Sequence, residues 1–326
     1  MRLPIRRQRA NELARDPISP RYRTPFIKKH NQKGQDDMGV ASGSPNRIIS
    51  LSTIPSRFPL IHKTLDCLLA QSARVDEIWL VIPRHYRRFP DYDGSLPDVP
   101  KGIRVVQTDE DLGPATKILA AADMLRGEDC SILFCDDDQR YHRTWAEDLF
   151  AAHDPAKRRA VAMFGIMVKR VLGKDTPRTY RNPYGAPPRR MISLLDMRYR
   201  FERMKQQVRH RQLYPRVAKP HRVHFARGGY VDLLHGFGGV VVRPDYFTEA
   251  DKTIPDHIRP VDDIWLSGVL AVRDIPIYVP GGIVRPSHHA AAGANPLSQT
   301  VSHGLDRDEA NIEGIKYFQD TYNIWK

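Results

Sequence analysis

The sequence predicts an α/β protein with a mostly parallel central sheet and helices on both faces. Two observations carry that prediction. Short runs that are almost wholly apolar recur between residues 48 and 135, and most of them give way to a polar loop and then to apolar residues at helical spacing. A strand that is apolar throughout has both faces covered, and strand–helix alternation is the pattern of parallel sheets, whose ligands lie at the carboxyl ends of the strands.

In chain order, Ile48-Ile49-Ser50-Leu51 is the first strand, ending in the polar segment 52–57, and Ile61, Leu65, Leu68 and Leu69 mark a helix that closes near Gln71. Ile78 to Ile82 forms the second strand, closed by Pro83, and Ile103 to Val106 the third. The loop 108–114 leads to a helix marked by Ile118, Ala121, Ala122 and Leu125. The fourth strand, Ile132-Leu133-Phe134-Cys135, runs into three consecutive aspartates, after which Thr144 and Glu147 have the spacing of a capping box. Beyond residue 150 the pattern loosens. Val161 to Phe164 and Gly239 to Val242 read as strands, Asp262 to Val272 as a helix and Ile277 to Val279 as a last strand. Residues 1–45 are polar and charged without apolar periodicity and read as a mostly disordered basic tail. The expected organisation is that tail, a first half over 46–150, a second half over 151–290 with a basic insert at 168–227, and a C-terminal segment 291–326 on the same domain.

No run of about 18 apolar residues is present, so no membrane-spanning helix is expected. The opening MRLPIRRQRANELARD lacks the apolar stretch of a secretory signal, and Cys67, Cys130 and Cys135 have neither zinc spacing nor the even count of a disulfide framework. Both features suit a protein of the reducing cytoplasm. The net charge of +13 is unevenly placed: residues 168–227 hold 17 Lys or Arg against 3 Asp or Glu. Such a segment suits nucleic acid, an anionic membrane surface, or a phosphorylated or acidic-sugar substrate, with a solvated charged face as the plain alternative. Nucleic acid is the least favoured, because the insert lacks the interleaved aromatics of a single-strand platform.

Asp136-Asp137-Asp138 is the strongest chemical feature. Adjacent carboxylates repel one another, and a strand end holds them at low cost only where a cation compensates. Mg²⁺ or Mn²⁺ takes carboxylate oxygens and completes its shell with phosphate and water. If the strand continues, Asp136 and Asp138 point the same way and face such an ion together. Asp262-Asp263 opens a predicted helix, where a carboxylate serves either as a general base or as a dipole partner. His288 and His289 follow the last strand in a polar loop, where a histidine completes a metal shell or is merely structural. The glycines of Gly236-Phe237-Gly238-Gly239 are either turn formers or a place where backbone approaches a ligand.

Together, 48–57, Asp109–Lys117 (DEDLGPATK), Phe134–Asp138 (FCDDD), Gly236–Val242 (GFGGVVV) and Val261–Ser267 (VDDIWLS) resemble a glycosyltransferase of the GT-A type, family-2-like, with its Rossmann-like nucleotide-sugar-binding fold. The resemblance implies an enzyme that moves a sugar, by an inverting and divalent-metal-dependent reaction, from a nucleotide-sugar to a glycan or lipid-linked hydroxyl in surface polysaccharide or glycoconjugate synthesis. A UDP-sugar is the foremost donor. It also implies roles. Asp136, Asp138 and His288 would hold Mn²⁺ or Mg²⁺; Thr53, Arg57, Lys117 and Asp136 would surround the nucleotide and its phosphates; Asp263 or Asp262 would deprotonate the acceptor. Two departures stand out: Ile82-Pro83-Arg84 replaces the acidic pair that reads the base in many relatives, and Asp-Asp replaces the commoner Glu-Asp before Ile264. The competing readings are a metal-dependent nucleotidyltransferase or phosphohydrolase, and a nucleic-acid binder. The basic insert adds an anionic acceptor, or peripheral contact with an anionic membrane at its cytoplasmic face, to the expected partners.

Overall fold

The structure, a computed structural model, describes residues 46–175, 180–192, 195–212, 222–295 and 304–326. The expected N-terminal tail and the parts of the basic insert at 176–179, 193–194 and 213–221 lie outside the described residues.

The first half contains β1 (Asn46–Ser52), α1 (His62–Leu69), β2 (Glu77–Pro83), β3 (Ile103–Thr108), α2 (Thr116–Met124), β4 (Cys130–Cys135), β5 (Gln139–Arg140) and α3 (Trp145–Ala152). The second contains β6 (Ala160–Ile166), α4 (Val168–Leu172), β7 (Arg189–Arg190), α5 (Met197–His210), β8 (Phe225–Arg227), β9 (Gly229–Val231), β10 (Leu233–Val242), α6 (Asp262–Val272), β11 (Ile277–Val279), β12 (Ser287–His288) and α7 (Arg307–Tyr322). Eight strands form one sheet in the order β3-β2-β1-β4-β10-β6-β11-β9. The first four run parallel to one another and β11 runs parallel to β6, while β10 is antiparallel to both of its neighbours.

Side-chain alternation along the strands places helices on both faces. On one face, Ser50 of β1 donates to the Lys117 carbonyl and Phe134 of β4 lies under the Lys117 ammonium, so α2 covers that side. On the other, Arg47 stacks over Phe150 and Ser131 meets His153, so α3 covers the opposite side. Residues 116–122 of α2 are all buried, which a helix achieves only when it is enclosed on every side. α6 is enclosed in the same way between β10 and α7, with Trp265 and Phe318 in contact at 5.4 Å between ring centroids and the Trp265 indole donating to the Asp251 carbonyl.

Two local expectations change. Thr144 and Glu147 form no capping box: the Thr144 hydroxyl donates to Asp148, and Glu147 accepts from Ser72 across the fold. A local box loses there to a tertiary partner. The aspartate triplet does not continue β4 as strand either; residues 137–138 form a turn into β5, so the alternation that would aim Asp136 and Asp138 alike is broken.

Candidate active site

β1 and β4 are parallel neighbours in the register Leu51–Cys135, so their carboxyl ends deliver Thr53 and the three aspartates side by side. α2 brings Lys117 to the same place, with its backbone carbonyl held by Ser50 at 2.5 Å. The first turn of α6 brings Asp262 and Asp263. The small β5–β12 ladder pairs Gln139 with His288 and so carries the histidine across more than 140 residues of chain. Thr53, Arg57, Lys117, Asp136, Asp138, Asp262, Asp263 and His288 all line one cleft of about 440 Å³.

The cleft separates its carboxylates by partner. Lys117 is 4% exposed and places its ammonium 2.6 Å from Asp136 Oδ1 and 3.0 Å from Asp262 Oδ2. Burial works against that charge, but Asp136, Asp262 and Asp263 outweigh it and hold the Lys117 pKa well above its ordinary value. Asp262 Oδ2 lies within ion-pair distance but off the line of a hydrogen bond, leaving that buried oxygen without a directional partner among the described residues. Asp263 is only half-buried, and its Oδ1 accepts the Gly236 backbone N–H at 2.8 Å. Burial, then the neighbouring Asp262 charge, pushes its pKa up to about 7, with Lys117 pulling the other way. A carboxylate poised there exchanges a proton near neutral pH.

Asp137 is the member of the triplet that the sequence reading passed over. Its side chain is buried, accepts from the Thr53 hydroxyl, and accepts from Arg57 Nη1 at 2.6 Å. Burial raises its pKa to about 6 although Arg57 and Thr53 both oppose the rise. Thr53 and Arg57 therefore clamp the aspartate turn as well as line the cleft. Tyr141 is a second residue with no sequence signal: its hydroxyl bonds to the Asp136 backbone and donates to the Phe237 carbonyl at 3.0 Å, tying β10 to the triplet.

Among the described residues no three His, Cys, Asp or Glu side chains gather closely enough to enclose a metal by themselves. A partial set does converge. The Gln139 amide nitrogen donates to Asp138 Oδ1 at 2.8 Å and lies 2.7 Å from His288 Nδ1, which faces it as an acceptor. Asp138 and His288 are thus joined through the Gln139 amide, and a hard divalent ion held by both would have to take that amide's place and draw its other ligands from phosphate and water. Beyond β2, where an acidic pair is lacking, the cleft wall includes Pro83, Tyr86 and Phe89 together with Arg88 and Asp111, and Arg84 turns away to pair with Asp109 at 2.8 Å.

The glycine run is explained by packing. Gly239 has φ +96° beside the Trp145 ring at the register shift in β10, and a Cβ on Gly236 would press on Asp263 and Lys117 at 3.2 Å. Both readings of these glycines therefore have a physical basis, as a bulge and as room beside the carboxylates.

A family model described as Glycosyl transferase family 2 matches residues 56–219, just over half of the chain. The chain belongs to glycosyl transferase family 2. It is thus a glycosyltransferase, and the order of its motifs along a mostly parallel sheet is that of the GT-A fold. The comparison with curated proteins yields no match. Among solved structures, this glycosyltransferase is similar to Staphylococcus aureus TarS 1–349 at 14% identity and a TM-score of 0.38, covering 74% of this chain and 59% of that one. The same fragment in complex with UDP gives 14% identity, the same coverage and a TM-score of 0.36. A mycobacterial protein gives 12% identity over 86% of this chain and 76% of its own, with a TM-score of 0.40. The chain therefore spans less than two thirds of the TarS fragment.

Proposed function

We propose that this glycosyltransferase moves a sugar from a nucleoside diphosphate sugar, with UDP as the foremost nucleotide, onto a hydroxyl of a glycan or lipid-linked acceptor by a single inverting displacement. The observation that carries this reading is the meeting of Asp263, poised near neutral pH, with Lys117, Arg57 and the aspartate triplet in one cleft at the carboxyl ends of β1 and β4. Asp263 accepts the proton of the acceptor hydroxyl. The hydroxyl oxygen forms its bond to the anomeric carbon as the bond from that carbon to the diphosphate oxygen breaks, and the diphosphate leaves with the electron pair.

Asp262, held by Lys117, is the weaker candidate for the base, because its charge is already committed to a buried ion pair. Lys117 acts as a positioning residue that fixes Asp136 and Asp262 and tempers Asp263. Asp138 and His288 would hold Mn²⁺ or Mg²⁺, which supplies positive charge to the departing diphosphate when bound. Asp136, engaged by Lys117, is left to reach the ion through water or to meet the donor ribose. Pro83, Tyr86 and Phe89 give the base an apolar surface, with Arg88 and Asp111 the charged groups beside it in place of an acidic pair after β2. Isothermal titration of UDP with and without Mn²⁺ tests the donor half: metal-dependent binding is expected, and an affinity indifferent to the metal overturns it.

The acceptor half is read with α5. Met197, Phe201, Met204 and Val208 are 50 to 72% exposed, and at about 100° per residue they fall within a stripe about 60° wide. Arg198, Lys205 and Arg209 flank the stripe on one side, Arg200 and Arg203 on the other. An apolar stripe between basic flanks lies in the surface of an anionic bilayer. A second copy of the same helix would bring like charges together instead. Cosedimentation with vesicles of phosphatidylcholine and phosphatidylglycerol, against phosphatidylcholine alone, tests this; changing Arg198, Arg200, Arg203 and Lys205 to Gln should abolish the preference. Equal binding of that variant refutes it.

A further inference from the structure

Among the described residues four lysine or arginine side chains line the catalytic cleft: Arg57, Arg88, Lys117 and Arg307. Three of them are engaged. Arg57 donates to Asp137 Oδ1 at 2.6 Å and lies 3.5 Å from Asp138 Oδ2, Lys117 sits between Asp136 and Asp262, and Arg88 stands over the Phe89 ring at 5.6 Å. Arg307 is half-buried and forms no ion pair or hydrogen bond with any described residue.

Arg307 is the first residue of α7, a helix outside the span that the family model matches. Helix stability does not account for a cation there, because the positive end of the helix dipole disfavours one. The capping carboxylates beside it are taken up by backbone: Asp306 Oδ1 accepts the Glu309 N–H and Glu309 Oε2 accepts the Asp306 N–H, both at 2.9 Å. Packing fixes α7 along α6, the helix that begins with Asp262 and Asp263. A Cβ on Gly314 would come within 2.9 Å of Ile264, and Phe318 packs on Trp265. The sheet order gives the cleft a direction: Pro83 closes β2, Thr53 follows β1, the triplet follows β4, and β10 comes next. Burial first, and then the Arg307 charge, lowers the pKa of His235 on β10 to about 4, which places Arg307 at the β10 end. The next residue, Gly236, gives its N–H to Asp263 Oδ1. Arg307 therefore shares with Asp263 the end of the cleft opposite Pro83, Tyr86 and Phe89.

We propose that Arg307 is a further substrate-binding residue of this glycosyltransferase and that its guanidinium holds the β-phosphate of the donor. That phosphate is the one joined to the anomeric carbon, so it lies toward Asp263, whereas the α-phosphate lies toward the nucleoside. A guanidinium presents paired N–H donors in a fixed plane and suits two phosphate oxygens. As the bond from the anomeric carbon to the β-phosphate oxygen breaks, the electron pair stays on that oxygen, and Arg307 meets the added negative charge. The assignment rests on the glycosyltransfer reading of the cleft, and it names the cation of this chain that is left for the leaving group.

The test uses the full chain with Mn²⁺ in excess and compares the dissociation constants of UDP and UMP, by isothermal titration, in the wild type and in Arg307→Gln. UDP affinity should fall about tenfold or more, the size of one charge-assisted hydrogen bond, while UMP, which lacks the β-phosphate, should bind both proteins alike. The melting temperature should stay near that of the wild type, because the change removes a cation from the first turn of a helix. Arg307→Met, which also lacks the charge, supplies the same comparison if the first variant is unstable. An unchanged UDP affinity in a folded variant, or equal losses for UDP and UMP, overturns the proposal; the first result would turn Arg307 toward the acceptor or solvent. If the wild type binds none of UDP, GDP and dTDP, the donor reading itself falls and the role of Arg307 with it, whereas binding that wild type and variants share strikes Arg307 alone.

Discussion

Replacing Lys117 by methionine removes the one cation buried among Asp136, Asp262 and Asp263 while keeping most of the side-chain volume. Both side chains of the Lys117–Asp262 pair are 5% exposed, so solvent cannot take over the lost partner. Breaking a buried pair by removing one member costs about 3–5 kcal/mol, because the remaining charge is stranded. At about 2 °C per kcal/mol for a chain of this size, the melting temperature should fall by about 6–10 °C. The loss should also depend on pH in a definite direction. The Asp263 carboxyl is raised in the fold, from 3.8 to about 7, and a raised acid weakens the fold as pH climbs from about 4 to about 7. Lys117 is the cation that holds this pKa down, so without it the folded pKa moves higher and the weakening continues to higher pH. The gap between wild type and Lys117→Met should therefore be larger at pH 8 than at pH 5.5. Differential scanning calorimetry at both pH values measures it. A shift under about 2 °C, or a gap that widens in acid, refutes the reasoning that Lys117 neutralises the buried carboxylates.

Asp263→Asn should lower kcat by about 10²–10⁴-fold with UDP affinity near that of the wild type, as loss of a general base does; if Asp262→Asn shows that pattern instead, the two roles are exchanged. In the wild type kcat/KM should rise with pH through about 7 as Asp263 loses its proton, and a profile flat from pH 6 to 8 would count against Asp263 as the base. Asp138→Asn should abolish the Mn²⁺ dependence of UDP binding at little cost to the melting temperature, since one of three adjacent charges is relieved; retained dependence in calorimetry would remove Asp138 from the metal site. Gly239→Ala forces a side chain onto a residue at φ +96° and into the Trp145 ring, which should cost about 2–4 kcal/mol in urea denaturation. Gly127→Ala, at φ +86° with open space around it, should cost clearly less, and equal losses would show that the ring contact contributes nothing.

The sequence by itself determined the elements that local pattern can specify. The apolar runs of β1, β2 and β4 and the spacing of Ile61, Leu65 and Leu68 carry the strand and helix patterns that the fold adopts, and α6 begins and ends where its pattern does. The aspartate triplet was visible because charge at the end of an apolar run is expensive without a purpose; Asp262-Asp263 stood out at the start of a predicted helix, and Lys117 only through the resemblance. α7 left a readable mark too, the reciprocal Asp306–Glu309 cap, which went unread because the helix behind it lacks a strong apolar stripe. What only the tertiary structure decided are the pairings. Nothing local says that β10 runs antiparallel between β4 and β6, that the β5–β12 ladder sets His288 against Gln139, or that Asp137 is the aspartate that both Thr53 and Arg57 hold, with Asp138 at 3.5 Å from the same Arg57 nitrogen. Nor does the +14 balance of residues 168–227 say where its cations stand; the fold sends some to the flanks of α5 and others beside the buried rings of Phe164 and Phe225. Each of these depends on contacts between residues tens to hundreds of positions apart, and such contacts are fixed by how the sheet and its helices pack, which no window of sequence contains.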